Sequence, residues 1–103
     1  MLRHIFIGPA MPACTSSELA SVVDTLRELD KLVPWINNLS VEATLSWSDV
    51  QAVVLTAEFD SQEDWKRYMH EPEHLALGKR IAPYIDLSRM TVVQTAITAS
   101  IHA

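Results

Sequence analysis

The sequence predicts an α+β fold with the element order β-α-β-β-α-β. Three observations carry this: period-two alternation near both ends of the chain, two stretches of helical periodicity each opened by a capping signal, and a pair of β-rich runs between them split by a short polar turn.

The elements follow in order. Residues 2–8, LRHIFIG, put Leu2, His4 and Phe6 on one face and Arg3, Ile5 and Ile7 on the other, which is the period of a strand. The loop GPAMPAC comes next. Residues 15–18, TSSE, form a capping box ahead of Leu19, Val22, Val23, Leu26 and Leu29, a single helical stripe. That helix is expected to run to about Leu32, with Pro34 marking its end. Residues 39–47 and 52–59 read as two strands joined at Ser48-Asp49. Residues 61–64, SQED, repeat the capping pattern, and Trp65, Tyr68 and Met69 then share one helical face. In residues 90–98, MTVVQTAIT, the β-branched side chains return as a fourth strand, followed by a short polar tail containing His102.

This order is the split-βαβ, ferredoxin-like arrangement: an antiparallel sheet with both helices on one face. The helix-free face needs cover. Strands three and four are apolar on both sides, Val53, Leu55, Ala57 and Phe59 against Ala52 and Val54, then Val92 against Val93 and Ile97. The simplest cover is a second copy of the chain, sheet against sheet.

At 103 residues the chain is expected to be one domain, residues 1–103, with 49% apolar and 20% charged residues typical of a globular protein. Eight Lys+Arg against thirteen Asp+Glu give a net charge of −5, so no basic face is expected for nucleic acid or an anionic membrane. The apolar run at residue 2 is followed by no cleavage pattern, and no run is long enough to span a bilayer. Cys14 is the single cysteine and reads as a loop residue in a reducing compartment. The expected location is the cytoplasm.

Residues 70–74, HEPEH, satisfy the letters H-E-x-x-H of a zinc peptidase, in which two histidines four apart on one helix share an ion. Pro72 argues against that geometry, because proline removes a backbone donor and clashes with the carbonyl four residues back, at a cost of about 3 kcal/mol inside a helix. The sequence is better divided into one segment ending near His70 and another with Pro72 in its first turn. His70 then faces water, while His74 joins Leu77, Gly78, Ile81 and Ile85 on a core-facing stripe. No metal is expected. His74 is either a buried, hydrogen-bonded histidine or a partner of Tyr68 in a pocket between helix and sheet.

The opening LRHIFI, the stretch EFDSQEDWKRYMHEPEHLAL and the closing MTVVQTAI together resemble the stress-responsive dimeric α/β-barrel (Dabb) family. Its marks are an early His in the first strand, then F-x-S/D-x-E-x-x-x-x-Y and Y-x-x-x-P-x-H, matched here by His4, Phe59, Glu63, Tyr68, Pro72 and His74. The resemblance covers nearly the whole chain and implies a homodimeric α/β barrel with a small-molecule site and no cofactor. In its plant polyketide cyclase branch the Tyr and His of this motif are the catalytic pair and the strand-one His lines the pocket. The resemblance thus assigns Tyr68 and His74 to catalysis and His4 to substrate binding. Three positions depart from that branch: Glu71 before the proline, Gly8-Pro9 at the end of strand one, and Gln94 where an Asp would sit beside His74 and fix its tautomer.

An intramolecular aldol reaction needs a base to take a proton beside a carbonyl and a donor to hold the resulting oxyanion. His74 suits the first role and Tyr68 the second; Phe6, Trp65, Leu77, Ile81 and Gln94 are expected to bind substrate beside His4. Trp35, Trp47, Trp65 and Tyr84 suit an aromatic ligand, although tryptophans in so small a domain more often pack in cores or interfaces. Three functions remain open from the sequence: a cofactor-free cyclase on a polyketide-like or aromatic substrate, a non-catalytic ligand-binding stress protein, and a cofactor-free monooxygenase.

Overall fold

The computed structural model describes residues 1–98, and the expected tail with His102 lies outside the described residues. Its elements are β1 (Leu2–Pro9), α1 (Ser16–Arg27), α2 (Leu29–Leu32), β2 (Asn38–Ala43), β3 (Ala52–Phe59), α3 (Gln62–Met69), α4 (Pro72–Ile81), a 3-10 turn (Leu87–Arg89) and β4 (Thr91–Ala96). The strands form one antiparallel sheet in the order β2-β3-β1-β4. This is the predicted ferredoxin-like topology.

Both capping signals open helices, the first as a full capping box and the second through its serine alone. The Thr15 hydroxyl accepts from the Glu18 amide at 3.1 Å, and the Glu18 carboxylate accepts from the Thr15 amide at 2.9 Å. Ser61 accepts from the Asp64 amide at 3.2 Å to open α3.

Three boundaries differ from expectation. The first helix does not continue unbroken to Leu32: at Glu28 the backbone tightens, its amide bonding Thr25 O at 3.1 Å while the Lys31 amide bonds Glu28 O at 3.0 Å. The short α2 that follows carries Leu29 and then Val33 into the core, both fully buried. The second strand ends at Ala43 rather than at residue 47, because the Thr44 hydroxyl takes the place of a ladder acceptor and receives the Ala52 amide at 2.9 Å. Beyond it the Gln51 side-chain amide donates to the carbonyls of Leu45, Ser46 and Ser48, folding residues 45–51 into a loop that turns Trp47 out, 79% exposed. The fourth strand spans Thr91–Ala96 instead of residues 90–98, since its partner β1 runs out where Leu2 faces Ala96.

The helices cover one sheet face. Leu19, Val22, Val23 and Leu26 of α1, with Leu77 and Ile81 of α4, pack on Val41, Val53, Leu55, Ala57 and Phe59, and Ile85 closes the layer. On the opposite face the register aligns Ile5 with Thr56 and Val93, and Ile7 with Val54. The side chains of Arg3 and Glu58 pair there at 3.3 Å.

Gly8 sits where a side chain has no room: a Cβ would lie 2.6 Å from Ile85 Cγ2 and 2.7 Å from Phe6 Cζ. Gly8→Ala is therefore expected to destabilise by about 1–3 kcal/mol through overpacking against the buried Ile85, read as a lower midpoint in chemical denaturation.

Candidate active site

The site begins with the interruption between α3 and α4. His70 caps α3, Glu71 is extended at φ −68° and ψ 124°, and Pro72 opens α4 at its first turn, where its missing N–H costs nothing. The two histidines of HEPEH separate accordingly. His70 is exposed and its Nδ1–H donates to the Lys66 carbonyl at 2.9 Å. His74 lies against Tyr68, with ring centroids 4.2 Å apart and planes 30° from parallel. Among the described residues no group of three or more His, Cys, Asp or Glu is placed to hold a metal ion.

Tyr68 and His74 line a cavity of about 170 Å³ together with His4 and Phe6 of β1, Gly78 and Ile81 of α4, and Met90 and Val92 at the start of β4. Tyr68 is the largest buried side chain of the core, wedged between Phe59 at 5.2 Å and His4, which meets it edge-on at 5.6 Å. His4 is 3% exposed. Its Nδ1 lies 3.2 Å from the Trp65 indole nitrogen and 3.1 Å from the Gln94 amide nitrogen.

Burial sets the protonation states. Desolvation, with a smaller contribution from His74, lowers His4 to a pKa of about 4. Desolvation also lowers His74 from the usual histidine range and raises Tyr68 well above the usual phenol range. The carbonyls of Met69 and Tyr68 lie close enough to His74 to offset part of its shift. Neither is aligned to accept from Nδ1, which is buried without a hydrogen-bond partner among the described residues. Near neutral pH both histidines are thus uncharged and the tyrosine is protonated.

Of the residues singled out from sequence, His4, Phe6, Tyr68, His74 and Ile81 meet at the cavity. Leu77 does not: it is buried in the core and forms no part of the wall. Trp65 and Gln94 stand behind His4 and border a separate shallow depression with Gln62 and Thr95. Gln94, expected beside His74, instead faces His4 across the β1–β4 ladder. Trp35 donates its indole N–H to the Asp64 carbonyl at 3.0 Å and lies 3.8 Å beneath the Arg67 guanidinium, so it is a packing residue. Sequence reading missed Gly78, Met90 and Val92 as lining residues, although Gly78 shares the stripe of His74 and Val92 shares the face of Gln94.

The lowered pKa of His4 ties stability to pH. An unfolded chain protonates His4 near pH 6.5 while the folded chain resists to about 4, so stability present at neutral pH is lost as pH falls through that interval. The loss from this one residue is expected to reach about 3 kcal/mol at pH 4. His4→Asn keeps an acceptor near the Nδ1 position and cannot titrate. Its denaturation midpoint is expected to depend less steeply on pH over the same window.

No curated protein matches the chain in sequence. Among solved structures, a dimeric protein of unknown function and ferredoxin-like fold from Bacteroides fragilis is similar with a TM-score of 0.78 at 23% identity, over 93% of this chain and 95% of its own. Hydroxynitrile lyase from Passiflora edulis gives a TM-score of 0.78 at 15% identity, over 98% and 96%. An antibiotic biosynthesis monooxygenase gives 0.67 at 17%, over 96% and 100%. At such identities the likeness establishes the ferredoxin-like fold alone. Residues 2–95 match the Stress responsive A/B Barrel Domain, and the chain belongs to that family, Dabb.

Proposed function

We propose that the protein is a homodimeric small-molecule enzyme that performs acid–base chemistry on a carbonyl compound, an aldol-type carbon–carbon bond formation or its reverse. The observation that carries this reading is the contact of Tyr68 with His74 at 4.2 Å in the wall of an otherwise largely apolar cavity, with His4 lining the same space. Neutral His74 takes a proton from the carbon beside a carbonyl. The Tyr68 hydroxyl holds the enolate oxygen, the enolate carbon attacks a second carbonyl, and the new alkoxide recovers the proton from the His74 imidazolium. One C–C bond forms, one proton moves from carbon to oxygen and His74 returns to its starting state. No electrons are exchanged, so the cycle balances without a cofactor.

Size narrows the substrate. A cavity of about 170 Å³ has room for roughly one aromatic ring, since an apolar protein cavity of about 150 Å³ accommodates benzene. A longer polyketide-like chain has to leave past Met90 and Val92, 48% and 36% exposed at the edge of the sheet.

Deuterium uptake at the α-carbon of acetophenone and benzoylacetone, followed by NMR, tests the chemistry. Uptake accelerated by the protein is expected to fall by about 10²–10⁴ in His74→Ala and by up to about 10²–10³ in Tyr68→Phe. His70→Ala, on the solvent side of the same motif, is expected to leave it unchanged. Rates indifferent to His74→Ala in a folded protein would overturn the catalytic reading.

A second reading, a non-catalytic binding protein using the same cavity, is favoured by one feature: His74 Nδ1 has no acceptor to fix its tautomer among the described residues. Under that reading His74→Ala weakens the affinity for these compounds with no turnover to lose. The monooxygenase alternative has only a shared fold behind it.

The homodimer is supported by the open sheet face, where Ile5, Ile7 and Val54 are half-buried and Val93 is 43% exposed. Covering that face on both copies is expected to bury roughly 2,000 Å² or more. Sedimentation is expected to show a dimer at micromolar concentration, and a well-folded monomer there would refute it.

A further inference from the structure

We infer that Trp65 and Gln94 are positioning residues that hold His4 as a fixed Nε2–H donor, so that the two cavity histidines have opposite roles. Both contacts converge on one atom, His4 Nδ1. The indole nitrogen of Trp65 carries a hydrogen and has no lone pair to offer, so at 3.2 Å from His4 Nδ1 it can only donate. Nδ1 must therefore be the unprotonated nitrogen, and the ring proton sits on Nε2. Gln94 approaches the same atom at 3.1 Å and has to present its amide nitrogen rather than its oxygen. Two donors on one acceptor oppose both ways of protonating Nδ1, the alternative tautomer and the imidazolium.

The titratable groups facing His4 are Tyr68, edge-on at 5.6 Å, and His74 across the cavity. Neither supplies an acceptor that would draw the proton back to Nδ1. An aspartate at position 94 would do so, since a carboxylate accepts and cannot donate. Gln94, whose amide can donate, instead holds the strand-one histidine as an Nε2–H donor. With Nδ1 engaged and the ring lining the cavity, Nε2–H is the group left to meet a ligand oxygen. Its use in catalysis rests on the carbonyl chemistry proposed above. The lock itself does not.

Long-range ¹H–¹⁵N spectra of the full chain labelled at histidine test the assignment. His4 is expected to remain in the neutral Nε2–H form from about pH 5.5 to about pH 8. Trp65→Phe is expected to populate both tautomers, and Gln94→Glu, at an exposed position, to place a proton on Nδ1 and give His4 a charge near neutral pH. A wild-type His4 with Nδ1–H, or a His4 unmoved by both substitutions, would overturn the lock. Where acetophenone exchange is measurable, Trp65→Phe is expected to lower kcat by about 10-fold to 10²-fold with little change in KM. Exchange absent with the tautomer as stated sinks the catalytic reading and leaves the lock; exchange present with His4 as Nδ1–H sinks the lock alone.

Discussion

The site depends on Pro72. A helix continuing unbroken from α3 would carry residue 74 round to within about 40° of His70 and well away from the phase of Tyr68. The extended Glu71 and the fresh start at Pro72 reset the phase, so that His74 comes back onto Tyr68 while His70 stays in water. The reset thereby completes a polar set whose other members come from elsewhere, Tyr68 from α3 and His4 from β1, which meet edge-on at 5.6 Å. The proline that separates His70 from His74 is also what brings the tyrosine and the second histidine together.

Burial then sorts the chemistry. Three ionisable side chains share a small apolar space, and the cost of charging any of them there keeps all three neutral near pH 7. Within that neutrality hydrogen bonds create the difference: His4 has two donors on Nδ1, whereas His74 Nδ1 has no hydrogen-bond partner among the described residues. The surface ion pairs, such as Arg27 with Glu42 at 2.7 Å, are solvated and contribute little to this arrangement.

Much of the fold was legible because its signals are local. The capping box at Thr15 and Glu18, the alternation of β1 and the proline break each act within a few residues, and each appears where the sequence places it. What could not be read depends on partners distant in the chain or on side chains substituting for backbone. The early end of β2 is set by the Thr44 hydroxyl standing in for a ladder acceptor, which no period reveals. The partner of Gln94 is fixed by the β1–β4 register, 90 residues apart in sequence, so the resemblance paired it with the wrong histidine. Leu77 shows the limit of helical phase: a core-facing stripe is wider than one cavity, and its neighbours Gly78 and Ile81 reach the wall while it does not.

The cavity wall at Val92 belongs to β4, which among the described residues has β1 as its one strand neighbour and is exposed from Thr91 to Ala96. Every second amide of β4 points away from β1 and has no ladder partner among the described residues, while the inward set is held by a single ladder. Fraying at that one edge would open the cavity without a hinged lid. A ligand seated against Val92 would register as slowed amide exchange along a strand that it touches at one end.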